Sequence, residues 1–96
     1  MTLAPFPSPT WVTPDPGTST DIAGSLHLGS RRLAVVRTER DPTGQLLGYL
    51  LTWDPPEDGC PPLAGSFSRT GCFPSLLMAR HYAEIYGRVY VRRYLF

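Results

Sequence analysis

The chain has no lysine, no asparagine, only two cysteines and almost no net charge, formally +1 over 96 residues. Each scarcity removes a class of protein. All nine cations are arginine, and a high-GC genome is the simplest source of that bias, because arginine has GC-rich codons whereas lysine and asparagine do not. A charge so close to zero excludes bulk electrostatic attraction to nucleic acid or membrane and leaves only local patches. No apolar run approaches the ~20 residues that span a bilayer, and the start lacks a positively charged n-region, so the expectation is a cytoplasmic protein with no membrane contact. Cys60 and Cys72 are expected as free thiols in a reducing compartment; a disulfide between them would contribute about 3 kcal/mol by closing the loop they bound. With His27 or His81 they lack the paired ligands two to four residues apart that zinc sites show, so no metal or other cofactor is expected.

Catalytic patterns are missing as well. The chain has no phosphate-binding glycine loop, no G-x-S-x-G elbow and no paired-histidine motif. Its carboxylates, Asp15, Asp21, Glu39, Asp41, Asp54, Glu57, Asp58 and Glu84, fall mostly in turns and loops with no spacing that matches an acid to a base. Ser66, Ser68 and Cys72 with His81 offer nucleophiles, but without a positioned base or an oxyanion site. The expectation is a protein that is not an enzyme.

What is present is organised around Arg31 to Trp53, where two apolar runs flank Asp41-Pro42-Thr43-Gly44. Proline presets φ at the second turn position, and glycine accepts the positive φ of a three-residue hairpin loop with a G1 bulge. If Asp41 and Gln45 close the loop, Arg37 faces Tyr49, Val35 faces Leu51 and Leu33 faces Trp53. Upstream, Leu26 and Leu28 alternate with Ser25 and His27, and Gly29-Ser30 suits a two-residue turn pairing Leu28 with Arg31 and Leu26 with Leu33. A three-stranded antiparallel meander follows. One face would hold Leu26, Leu28, Leu33, Val35, Leu47, Tyr49, Leu51 and Trp53, and the other Ala34, Val36, Thr38, Leu46, Gly48, Leu50 and Thr52.

Most of the eleven prolines and nine glycines cluster in two stretches, one on either side of this unit. Residues 1–20 carry Pro5, Pro7, Pro9, Pro14 and Pro16 and read as an extended N-terminal arm, whose Phe6, Trp11 and Val12 point to docking on the chain's own sheet first, with docking on a partner or a disordered arm as the alternatives. Residues 21–96 read as one α+β domain, interrupted by a long loop over 54–73. Ser75 caps a helix that Gly87 ends, with Leu76, Met78, Ala79, Tyr82, Ala83, Ile85 and Tyr86 on the apolar half and Leu77 as the large apolar outlier opposite. Beyond Gly87, Val89 and Val91 alternate with Arg88, Tyr90, Arg92 and Tyr94, the pattern of a final strand. The predicted order is β-β-β-α-β: an antiparallel meander plus a C-terminal strand, with one helix packed on one face.

The run Arg40-Asp41-Pro42-Thr43-Gly44, between two strands of a meander followed by a helix, resembles the arm-binding domains of phage integrases, in which the sheet enters the major groove. That resemblance covers roughly Arg31 to Tyr86 in element order. The chain departs from it in lacking the basic charge of those domains and in carrying the long loop before the helix.

Arginine alternating with tyrosine on a β surface can serve as a protein hot spot, stack on bases and contact phosphates, or simply form an edge strand that resists aggregation. The functional expectation is a small non-enzymatic protein-interaction module, of the accessory or inhibitor kind carried by phages and mobile elements. Its expected contact face is Arg88, Tyr90, Arg92 and Tyr94, helped by Arg32, Val36 and Leu50. An unidentified protein is the expected partner, a second copy of the chain another candidate. The alternative is a small nucleic-acid-binding domain that uses the same Arg/Tyr face.

Overall fold

The computed structural model describes residues 8–14, 21–55, 65–68 and 71–95. They form a five-stranded antiparallel sheet and one C-terminal helix around a common core, an α+β arrangement. The strands are β1 (Thr10–Val12), β2 (Ile22–Leu28), β3 (Arg31–Arg40), β4 (Leu46–Trp53) and β5 (Gly71–Phe73), and they lie in the sheet in chain order. The helix α1 spans Leu76–Tyr90 and runs on into a π-helical turn, Val91–Leu95.

The loop at Pro42 forms as its residues dictate. Asp41 donates its backbone N–H to the Gln45 carbonyl at 2.9 Å, the Gly44 N–H returns to the Asp41 carbonyl at 2.9 Å, and Gly44 takes φ 90°. The Asp41 carboxylate accepts from the Thr43 hydroxyl at 2.6 Å and from the Thr43 and Gln45 backbone N–H groups, both at 2.9 Å. These bonds, the Thr43 hydroxyl first, hold its pKa below the ordinary carboxylate value.

Two steps into the hairpin the expected register fails. Glu39 pairs with Gly48 and Arg40 with Leu46, leaving Leu47 as an extra residue on β4. The bulge offsets the pairing beyond it by one residue, so Val36 lies opposite Leu51 and Ala34 opposite Trp53. Val36 and Ala34, expected on the open face, are therefore buried in the core, and Leu47, expected inside, is 58% exposed. A second bulge leaves Leu33 as the extra residue between the Leu26–Ala34 and His27–Arg32 pairs. Leu33 and Ala34 consequently both enter the core, while Val35 pairs with Ser25 and Thr52 on the opposite face.

Two sheet partners come from segments expected to be irregular. Within the arm, β1 pairs with β2, and the Trp11 indole lies against Gly24 on the chain's own sheet; Phe6 lies outside the described residues. Within the expected loop, β5 pairs with β4, and a 3-10 turn over Gly65–Ser68 drops Phe67 into the core, edge-on to Trp53 at 5.0 Å. Cys72, on β5, is an exposed free thiol; Cys60 lies outside the described residues.

The helix begins where expected, with the Ser75 hydroxyl accepting from the Met78 N–H at 3.2 Å. It does not stop at Gly87, and the expected final strand over Arg88 to Leu95 is helical instead. Gly87 is needed for a different reason: a Cβ there would stand 2.4 Å from Leu26 Cδ2 and 3.1 Å from Pro9 Cγ. Ala79, Ala83 and Gly87, at i, i+4 and i+8, bring the helix axis close to the sheet.

On both sides of Gly87 the helix is held by tyrosines four residues apart. Tyr82 stacks on Tyr86 at 4.3 Å, Tyr90 stacks on Trp53 at 5.3 Å, and Tyr94 meets Tyr90 at 5.1 Å and Phe67 edge-on at 5.6 Å. Tyr90 is 1% exposed, and its hydroxyl donates to the Asp54 backbone carbonyl, so its polar tip is satisfied where the ring is buried. A strand would have sent Tyr90 to the solvent side; the helix period gathers the tyrosines over the aromatic core instead.

Candidate protein-interaction surface

The seven residues expected to form a contact face do not share one. Tyr90 and Val36 are core residues. Tyr94 is half-buried against Phe67 and Tyr90, and Leu50 is half-buried on the sheet face away from the helix, opposite Arg37 and Cys72. Arg32 is exposed and forms a bidentate pair with Asp54, at 2.6 and 3.2 Å. Only Arg88 and Arg92 are close neighbours on an exposed surface, at the C-terminal end of the helix.

Another surface emerges from the same helix. With Ala79, Ala83, Gly87 and Tyr90 against the sheet, the positions half a turn away are Leu77, His81, Ile85 and Arg88, flanked by Met78. All five are exposed: Leu77 at 76%, Met78 at 52%, Ile85 at 49%, with His81 and Arg88 open to solvent as expected of polar residues. The single carboxylate on the helix, Glu84, lies to the side and accepts from Arg80 Nε at 2.8 Å. The stripe therefore carries its large apolar residues, Leu77, Met78 and Ile85 with His81 between them, in its N-terminal part and turns basic from Arg88.

A cleft sits at each end. At the helix N-terminus, Trp11, Thr13, Ala23, Leu76, Leu77 and Arg80 line a hollow of about 230 Å³, with the Arg80 guanidinium 5.7 Å from the Trp11 ring centroid. At the other end, Val89, Arg92 and Arg93 line a more open one of about 260 Å³. Both lie below the ~300–1,000 Å³ typical of small-molecule sites, and each is large enough to take a side chain.

Sequence reasoning singled out Leu77 and missed Met78 and Ile85, which sit at the margins of the apolar half. The signal for the true orientation was the line of smallest residues, Ala79, Ala83 and Gly87, which marks the side of closest approach. Among the described residues no group of three or more His, Cys, Asp or Glu side chains could hold a metal ion, and no helix is long and apolar enough to cross a membrane.

No protein-family model matches the chain, and no curated protein or solved structure matches it. The functional reading accordingly rests on geometry.

Proposed function

We propose that the chain is a small non-enzymatic protein-interaction module whose contact surface is the outer face of α1. The observation that carries this reading is the exposure of Leu77, Met78 and Ile85 on a helix whose opposite side already buries the sheet. Large apolar side chains on an outward helix face are the usual anchors of helix-mediated recognition. An accessory or inhibitor role, as in phages and mobile elements, suits a protein that acts by surface complementarity alone. The exposed thiol of Cys72 fits a reducing, cytoplasmic setting.

The nucleic-acid alternative keeps Arg88, Arg92 and Arg93 as phosphate contacts but loses its stacking platform, because Tyr90 lies in the core and Tyr94 packs on Phe67. A pull-down from the organism that carries the chain, with wild type and Leu77→Ser/Ile85→Ser baits side by side, tests the favoured reading. The expected result is a protein retained by the first bait and lost from the second. Identical retention by both baits would count against it, and self-association seen by light scattering and broken by the double variant would make the partner a second copy.

A further inference from the structure

The outer face of α1 differs in chemistry between its two ends. Its N-terminal end opens into the Trp11–Leu77 cleft, which is mostly apolar and of a size to take one large side chain. Its C-terminal end carries Arg88, Arg92 and Arg93, all exposed, and among the described residues none of the three has an ion pair. Of the other arginines, Arg32 pairs with Asp54 and Arg80 with Glu84, Arg40 donates to the Gly44 carbonyl at 3.0 Å, and Arg37 stands alone on the sheet, exposed and with no ion pair among the described residues. In a chain whose formal charge is only +1, three exposed arginines without an ion pair among the described residues thus cluster at one end of the exposed apolar stripe. The helix dipole favours cations there, but it gives no reason for guanidiniums to continue the line of Leu77 and Ile85.

From this charge pattern we infer that the surface takes an amphipathic segment of a partner protein, with a large apolar residue for the Trp11–Leu77 cleft at one end and carboxylates for Arg88, Arg92 and Arg93 at the other. The inference rests on the proposed function above and adds to it the partner's chemistry and direction. From Leu77 to Arg92 the stripe runs about 22 Å at helical rise, which a partner covers with about four helical turns or with about seven extended residues. Guanidiniums bind carboxylates in a fixed, forked geometry, so the arginine end sets orientation and the cleft end supplies burial. A phosphate backbone would use the arginines but leave Leu77, Met78 and Ile85 in water.

The test is selection of a displayed library of random peptides of about 16 residues, long enough for four helical turns, on the full chain, with affinities of enriched peptides read by fluorescence anisotropy. The expected peptides concentrate Asp and Glu at one end and a large apolar residue at the other. Their affinity should fall about tenfold or more on Arg88→Glu/Arg92→Glu, less on Arg88→Gln/Arg92→Gln, and steeply with added salt. Leu77→Ser/Ile85→Ser should abolish binding, and circular dichroism should find all three variants folded. Peptides that need Leu77 and Ile85 but show no acidic bias, or are indifferent to reversal of the arginines, overturn the inference and leave the interaction module standing. Failure to recover any peptide dependent on Leu77 and Ile85 overturns both. Tighter binding to a duplex of about 20 base pairs, lost on reversal of the arginines, replaces the acidic partner with a nucleic acid.

Discussion

On its inner side α1 presents Ala79, Ala83 and Gly87 along the line of closest approach, with Tyr90 at the end; on its outer side it presents Leu77, Met78 and Ile85. A helix serving only to cover a sheet would carry its large apolar residues inside and polar ones outside. Here the inner line is small because the sheet is near, and the volume that fills the core comes from elsewhere: Leu26, Leu51, Trp53, Phe67 and the tyrosines on the helix flank. The large outer residues do nothing for that core. The contrast separates what the fold requires from what remains to be explained by a partner, and substitutions on the two sides should behave differently.

The largest effect should come from the inner side. Tyr90→Ala removes a buried ring stacked on Trp53 and packed against Phe67, and should cost about 3–5 kcal/mol in chemical denaturation. Tyr90→Phe keeps the ring but strands the Asp54 carbonyl, and should cost about 1–2 kcal/mol by the same measurement.

Gly87→Val should cost about 1–3 kcal/mol, because its Cβ must displace Leu26 or lift the helix. Were Gly87 an ordinary mid-helix residue with room for a side chain, alanine there would gain about 1 kcal/mol from propensity; because of the close approach to Leu26, Gly87→Ala should instead be destabilising, and Leu26→Val should partly rescue it.

A smaller effect lies away from the helix and calibrates the comparison. The Asp41 carboxylate has a lowered pKa in the folded chain, so its contribution to stability is present above the unfolded value of about 4 and is lost as pH falls through the folded value. Asp41→Asn should therefore be less stable than wild type near neutrality, with the gap closing in acid, as followed by thermal unfolding across pH. A gap that stayed constant would mean that the side-chain amide and the carboxylate differ as acceptors in this loop for reasons other than charge.

Much of this arrangement was legible in the residues. The Pro42 loop, the Gly29-Ser30 turn that pairs Leu28 with Arg31, the Ser75 cap and the placement of Leu51 and Trp53 beneath the helix all follow from local chemistry. The bulges at Leu47 and Leu33 were not legible, since both fall in unbroken apolar runs, Leu46-Leu47 and Leu33 to Val36, where an extra residue leaves no mark in the pattern. The final segment was ambiguous in a specific way: Arg88 to Tyr94 alternates with period two, yet Tyr82, Tyr86, Tyr90 and Tyr94 repeat with period four. Reading Gly87 as a stop hid the second pattern, and with it the burial of Tyr90. The contact surface went the same way: Leu77 stood out, but its companions Met78 and Ile85 could be assigned outward only once the small inner line was known to face the sheet.

The most direct test of the division between the two sides is the urea unfolding free energy of Leu77→Ser/Ile85→Ser against wild type. Surface positions away from any packing feature should leave stability within about 0.5 kcal/mol. A loss of about 3 kcal/mol or more, as expected for buried leucine and isoleucine, would place those side chains in the core and remove the proposed contact surface.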